Sequence, residues 1–266
     1  MKPGGIKEKI KNYFDAHRNS RLIKMIRWYL IWNDRWLLSV VLRYKPIVDR
    51  IKAMPNYKNL DIAEIGSNSQ GIGFYLKKKV TGLDLLKNEV GLARYGEYLD
   101  FVQGDATSLG FKDNSYDVIV SIDTLEHLND AQREKALSEM VRVSRRWIIL
   151  ALPFKGEAEK YEKRFNELFL KKYGKPNPAL EEHQLPDYDK FMSILKNKAA
   201  LKSRKIDLKV INNLNLDWWY LAQYLETIPV INFVHRLLFS PWFYLFKQMN
   251  QTPCYRRIIS LEMVNN

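Results

Sequence analysis

The feature that most constrains the fold is a change of pattern near residue 60, where short apolar runs begin to alternate with helical stretches. Such alternation is typical of a parallel sheet whose strands are joined by crossover helices. The pattern predicts strands at residues 60–65, 80–84, 100–103, 118–122, 147–152, 206–211 and 257–264. The sequence therefore predicts an α/β fold in which a seven-stranded, mostly parallel sheet carries flanking helices.

The rest of the chain divides around this core. Residues 1–55 are predicted to form a basic helical segment, in which Pro46 opens a short helix, and residues 56–153 form the core. Residues 154–202 are a helical insertion. Residues 203–266 hold the last strands and an aromatic helical insertion at 214–246. Within the core, Asp130 is predicted to cap a helix whose apolar face carries Leu137 and Met140.

Charge and cysteine content indicate the partners and the cellular compartment that suit this chain. The net charge is +13, and 13 Lys and Arg residues against four acidic ones precede residue 53. This basic arm suits an anionic partner or forms a solvated helical face. The single cysteine, Cys254, cannot form an internal disulfide, and no Cys or His cluster has zinc-ligand spacing. We expect a cytoplasmic protein without a metal site or a cleaved secretory signal, with membrane association left open.

A glycine-containing turn follows the first predicted strand. It begins at Glu64 and reads Glu-Ile-Gly-Ser-Asn-Ser-Gln-Gly. Glycine and small polar residues between a strand and a helix let the backbone approach a ligand closely and present its amide groups. A nicotinamide-binding loop would need a second glycine at position 68, where Asn68 stands.

Three further segments carry candidate site residues. Asp84 closes the second predicted strand, at the spacing where a carboxylate accepts hydrogen bonds from ribose hydroxyls. Gly104, Asp105 and Ala106 follow the third strand. Residues 123–128 follow the fourth strand and read Asp-Thr-Leu-Glu-His-Leu.

In this order, the four segments resemble the class I S-adenosylmethionine (SAM) dependent methyltransferases, and most of all their type 11-like, small-molecule branch. The resemblance covers about residues 60–153 and implies a Rossmann-like fold and SAM as cofactor. It implies that the glycine loop holds the methionine end of SAM, Asp84 the ribose and Asp105 the adenine. The full set of cofactor-binding residues that it implies is Glu64, Gly66, Ser67, Asn68, Gly71, Asp84, Leu85, Asp105, Ala106 and Asp123.

The loop departs from the family pattern at two positions. Asn68 and Gln70 stand where the family has its second and third glycines. Since Asn tolerates positive φ, we expect the turn to persist at position 68. The departures leave a second hypothesis, a catalytically inactive binding or scaffold protein with the same fold.

Catalysis and acceptor choice are less constrained by the sequence. His127 is the candidate general base, because imidazole titrates near neutral pH, although it could instead orient the next helix. His17, His183 and His235 have no recognisable partner in the sequence. The aromatic residues of 214–246 suit a membrane interface and a lipid-linked acceptor, or equally a packed subdomain or dimer contact. A small molecule is the expected acceptor, RNA ranks third because no RNA-binding module is recognisable, and DNA is not expected.

Overall fold

The computed structural model describes residues 20–21, 38–68, 71–89, 92, 96–200, 205–228 and 250–264. One sheet has the strand order β3-β2-β1-β4-β5-β7-β6, in which β7 is antiparallel to both neighbours and the other pairs are parallel. The seven-stranded, mostly parallel sheet expected from the sequence is confirmed. Its strands are β1 Ile62–Ile65, β2 Val80–Asp84, β3 Leu99–Gln103, β4 Tyr116–Ile122, β5 Ser144–Pro153, β6 Lys205–Asn215 and β7 Cys254–Val264.

Helices pack on both faces of the sheet. They are α1 Leu38–Lys52, α2 Gly73–Leu76, α3 Asp130–Val143, α4 Glu157–Tyr173, α5 Pro178–Glu181, α6 Tyr188–Ala200 and α7 Leu216–Glu226. Alternate residues of β4 serve the two faces, because Val118 and Val120 pack with α1 and α2 whereas Ile119 packs with α3 and α6. A third apolar cluster joins α4 to α7 around Phe165 and Trp219.

Helix α1 departs from the sequence-based expectation at Pro46. This residue lies inside the helix and does not open a new one, so that prediction was wrong. Proline has no amide hydrogen to donate to the carbonyl four residues earlier, which is that of Leu42. In the structure the Leu42 carbonyl instead accepts a hydrogen bond of 3.2 Å from the Asn213 side chain of β6. The contact with β6 therefore compensates for the bond that proline removes.

The cap of α3 also differs from the prediction. Asn129, and not Asp130, is the N-cap: its side chain accepts from the Gln132 amide, and the Gln132 side chain accepts from the Asn129 amide. Leu137 and Met140 face the core as expected. The predicted helices before residue 38 and the aromatic residues at 229–249 lie outside the described residues. Within the described ranges, no helical segment combines the length and apolarity that a bilayer crossing requires.

The strand order indicates a site at the carboxyl ends of the parallel strands. Chain connections run outward in opposite directions from β1 and β4, which are neighbours at the centre. Open parallel sheets bind ligands at the carboxyl ends of strands beside such a reversal. The segments that follow β1, β2, β3 and β4 all begin at these carboxyl ends.

Candidate functional site

The turn after β1 depends on left-handed backbone at three residues. Gly66, Asn68 and Gly71 have φ values of 79°, 49° and 61°. A Cβ on Gly66 would lie 2.0 Å from the Thr124 hydroxyl oxygen, so no side chain fits there. The expectation that Asn68 replaces a glycine in positive φ is confirmed, whereas Gln70 lies outside the described residues. The backbone amide of Gly66 donates to the Leu83 carbonyl at 2.8 Å, which ties the turn to β2.

Glu64 lies under this turn and is fully buried. One carboxyl oxygen accepts a hydrogen bond from the Ile72 amide, at the start of the helix that follows the turn. Burial raises the pKa of Glu64 to about 8, although the Ile72 amide and the nearby Tyr44 hydroxyl act to lower it. Glu64 therefore supports the turn through its bond to Ile72. Glu64, Ser67 and Gly71 do not line the cleft.

Asp84 links the ends of β1 and β2. Its Oδ2 accepts from the Asn68 amide at 2.7 Å, and its Oδ1 accepts from the Leu86 amide at 3.2 Å. A carboxylate offers about four lone-pair positions, so capacity for further donors remains. Leu85 and Leu86 are largely exposed beside it and form an apolar surface.

The segment after β3 completes this half of the site. The Gly104 amide donates to the Asp84 carbonyl at 2.9 Å, which holds the two strand ends together. Asp105 accepts from the Thr107 amide at 2.7 Å, and this short turn directs the chain around the cleft. Gly66, Asp84 and Asp105 thus come from three successive strand ends and line one cleft.

The cleft has a volume of about 910 Å³. Small-molecule sites span roughly 300–1,000 Å³, so this cleft lies at the upper end of that range. Eight of the eleven site residues predicted from the sequence line it: Gly66, Asn68, Asp84, Leu85, Asp105, Ala106, Asp123 and His127.

Asp123 has a different environment from the one that its place in the cofactor set implied. Its carboxylate faces two guanidinium groups: Arg256 Nε donates to it at 2.5 Å, and Arg43 Nε lies 2.9 Å away. Burial acts to raise the pKa of Asp123, but Arg256 and Arg43 outweigh burial and lower it. Asp123 is therefore an ionised member of a charge cluster in which Asp123 and Arg256 are largely buried and Arg43 is partly exposed.

His127 and His183 meet in the same part of the cleft. Their rings make an edge-on contact with centroids 4.8 Å apart, and His183 Nδ1 lies 3.0 Å from Glu162 Oε1. The expectation that His183 has no partner was therefore wrong. Partial burial lowers the pKa of His127, and the neighbouring His183 lowers it further, so the imidazole is neutral at physiological pH.

Glu126 precedes His127 and is fully buried. Neither of its carboxyl oxygens has a hydrogen-bond partner among the described residues. Burial, together with the charge of Asp123, raises the pKa of Glu126 well above its ordinary value. This side chain lies at the wall of the cleft.

The sequence did not predict four residues that lie around Asp123, Glu126 and His127. They are Arg43, Glu162, His183 and Arg256. They come from α1, α4, the segment before α6 and β7, which lie far apart in sequence. No local motif joins them, and only the fold brings them together.

Two sequence comparisons bear on these residues. Residues 63–149 match the family model described as a methyltransferase domain. A demethylmenaquinone methyltransferase of Renibacterium salmoninarum is 32% identical over 125 residues, which cover 44% of this chain and 49% of that protein. A norajmaline N-methyltransferase of Rauvolfia serpentina is 29% identical over 119 residues, covering 41% and 39%. The matched part thus spans half or less of these curated relatives.

Solved structures share the architecture over most of the chain. A Thermotoga maritima SAM-dependent methyltransferase, described as a possible histamine N-methyltransferase, superposes with a TM-score of 0.54 at 15% identity, covering 94% of this chain and 98% of that one. The Synechocystis magnesium protoporphyrin IX methyltransferase with bound S-adenosylhomocysteine gives 0.51 at 17% identity, covering 97% and 99%. Such identities show the fold alone. The family-model match covers the segment that builds the turn and the strand ends around the cleft, so residues 63–149 form a methyltransferase domain.

Proposed function

We propose that the chain transfers a methyl group from SAM to a small-molecule acceptor bound in the same cleft. The observation that carries this proposal is the convergence of Gly66, Asp84 and Asp105 on one cleft of about 910 Å³. When bound, SAM supplies a methyl group on a positively charged sulfur, which a nucleophile displaces in line. The protein's contribution is then mainly to hold the acceptor in alignment.

The residues present fit a nucleoside cofactor. The bare backbone at Gly66 leaves space that a side chain would fill, since a Cβ at this position would collide with Thr124. Asp84 retains lone pairs for hydroxyl donors of a ribose, and Asp105 lines the same cleft, where an amino group of the base would meet its carboxylate. Glu64, Ser67 and Gly71 do not line this cleft.

The acceptor end is distinct in character. His127, Arg43 and Trp219 line it, and Trp219 stacks on Tyr255 with ring centroids 4.2 Å apart. Aromatic walls with a few polar groups suit a ring-bearing small molecule. The relatives named above are a demethylmenaquinone methyltransferase and a norajmaline N-methyltransferase, which agrees with a small-molecule acceptor. A neutral His127 can take up the acceptor's proton.

A lipid-linked acceptor is the more specific form of this proposal, with the reaction in the cytoplasm at a membrane surface. Helix α7 supports it, because Trp218, Leu221 and Tyr224 are partly exposed at intervals of three residues. Flotation with anionic liposomes at low and high salt tests it, since aromatic insertion survives salt whereas electrostatic attachment does not. Recovery in the unbound fraction at both salt concentrations would remove this form and leave a freely diffusing acceptor.

Calorimetric titration with S-adenosylhomocysteine tests the proposal. The wild type is expected to bind, and Asp84→Ala is expected to weaken binding at least tenfold, because a charge-assisted hydrogen bond contributes about 1.5–3 kcal/mol. Asp100→Ala is the matched control, since Asp100 lies on the adjacent strand and pairs with Lys79 at the surface. Absence of binding by the folded wild type would favour the inactive scaffold instead.

A further inference from the structure

The cluster of Glu126, His127 and His183 has a geometry that methyl transfer alone does not require. One potential ligand atom from each residue lies within 4.8 Å of the other two. In a tetrahedral zinc site with bonds of about 2.1 Å, ligand atoms lie roughly 3.4 Å apart, so the three side chains would move inward when they bind an ion. The three side chains come from two separate segments, the turn after β4 and the loop before α6.

The unpaired, buried carboxyl group of Glu126 is the first independent observation that points to a bound ion. Its side chain is 0% exposed, and both carboxyl oxygens lack a hydrogen-bond partner within the described residues. An unpaired buried carboxyl group costs free energy on the order of a few kcal/mol. Most buried polar groups have a partner, so this exception calls for a bound group. Glu126 lines the cleft, which gives such a group access.

The surroundings of His183 are the second sign. Its Nδ1 lies 3.0 Å from Glu162 Oε1, and the Tyr255 hydroxyl donates to the same oxygen at 2.7 Å. A carboxylate at Nδ1 fixes the tautomer in which Nδ1 carries the proton and the lone pair remains on Nε2. This carboxylate–histidine arrangement is the usual outer support of a histidine that binds a metal ion. Tyr255 and burial hold Glu162 in place.

Asp123 lies close by but is engaged elsewhere. Arg256 and Arg43 occupy its carboxylate, so it is not free to act as a ligand. The remaining donors are two imidazole nitrogens and one carboxylate. Imidazole suits zinc and other divalent transition metals, whereas magnesium and calcium favour all-oxygen sites.

From this geometry we infer that Glu126, His127 and His183 bind one divalent transition-metal ion, such as zinc, at the acceptor end of the cleft. Three protein ligands leave a coordination position open, as in metal sites that act on a substrate. Because all three residues line the cleft, an acceptor oxygen could take that position and release its proton to solvent water more readily. This use of the metal rests on the proposed function and would replace His127 as the base, whereas metal binding itself does not depend on methyl transfer.

Titration of the chelator-treated, full-length protein with Zn²⁺ alone, and separately with Mg²⁺, tests the inference. We expect saturable binding of one Zn²⁺ per chain and much weaker binding of Mg²⁺. Glu126→Gln and His183→Gln should each weaken Zn²⁺ binding at least tenfold, and Glu162→Gln by about 10- to 100-fold through loss of support. Cys254→Ser is the control for adventitious thiol binding, because Cys254 lies outside the cluster, and it should leave the affinity unchanged.

S-adenosylhomocysteine titration of the same samples separates the two proposals. Wild-type protein that binds S-adenosylhomocysteine but shows no saturable Zn²⁺ binding would overturn the metal site and leave the proposed function standing. Equal Zn²⁺ affinity in the wild type, Glu126→Gln and His183→Gln would overturn it as well. Zn²⁺ binding that these substitutions weaken, in a chain that does not bind S-adenosylhomocysteine, would support the site and refute the proposed function. Circular dichroism of each variant verifies that it is folded.

Discussion

Replacing Glu64 by Gln should change the way in which stability depends on pH. The Glu64 side chain is fully buried, and burial raises its pKa from an ordinary 4.5 to about 8. The folded state therefore holds this proton more tightly than the unfolded state does. As a result, the free energy of unfolding of the wild type falls as pH rises from 4.5 to 8 and stops falling above 8.

The size of this effect follows from the same two values. Each pH unit between them contributes about 1.4 kcal/mol, so the whole interval corresponds to a loss on the order of 5 kcal/mol. Gln resembles the protonated acid and can still accept the Ile72 hydrogen bond, but it does not ionise. We therefore expect Glu64→Gln to gain stability relative to the wild type as pH rises.

Urea denaturation at several values between pH 5 and pH 9 measures the difference directly. Other groups titrate in both proteins, so the difference between the two curves isolates Glu64. Glu97→Gln, an acid-to-amide change at an exposed position, is the control and should run parallel to the wild type. If Glu64→Gln also runs parallel to the wild type from pH 5 to pH 8, the reasoning about burial of Glu64 is wrong.

Three further substitutions test the site. Gly66→Ala should lower the melting temperature and abolish S-adenosylhomocysteine binding, because its Cβ would lie 2.0 Å from the Thr124 hydroxyl. Adding Thr124→Gly should recover part of the stability. An unaltered melting temperature in the single variant would count against the turn geometry. Asn68→Gly should keep both stability and binding. Asn68→Val should lower the free energy of unfolding, measured by chemical denaturation, by about 1–2 kcal/mol because residue 68 has a φ of 49°. Equal stability of the two variants would contradict the left-handed backbone. Arg256→Ala should destabilise the protein by about 1.5–3 kcal/mol, because it removes buried hydrogen bonds to a charged group while Arg43 still faces Asp123. Arg146→Ala, at a surface pair, should cost about 0–1 kcal/mol, and similar costs for the two variants would refute the buried cluster.

The sheet was largely predictable because its strands carry a strong local signal. The bounds of β2 agree with the prediction, since Val80 begins an apolar run and Asp84 ends it. Strand β6 extends four residues beyond its predicted end, to Asn215, because Asn is uncommon in strands and gave no signal. Its Asn213 is buried and bonded to Leu42 and Arg256, so tertiary contacts outweigh the local preference.

The sequence also predicted that Asp84 and Asp105 line one cleft, whereas it did not predict the residues around Asp123. Asp84 and Asp105 each follow a strand, and parallel strands bring their carboxyl ends to one edge. Asp123 follows a strand too, but no local pattern indicates that Arg43 and Arg256 surround it. His183 lies 56 positions after His127 and comes near it only through the packing of the segment before α6.

The most direct test of the central claim is a crystal structure of the protein with S-adenosylhomocysteine. We expect electron density for one nucleoside between Asp84 and Asp105, with its ribose hydroxyls within hydrogen-bond distance of the Asp84 carboxylate and its amino acid portion beside Gly66. Density for the ligand elsewhere, or a nucleoside that contacts neither carboxylate, would contradict the account.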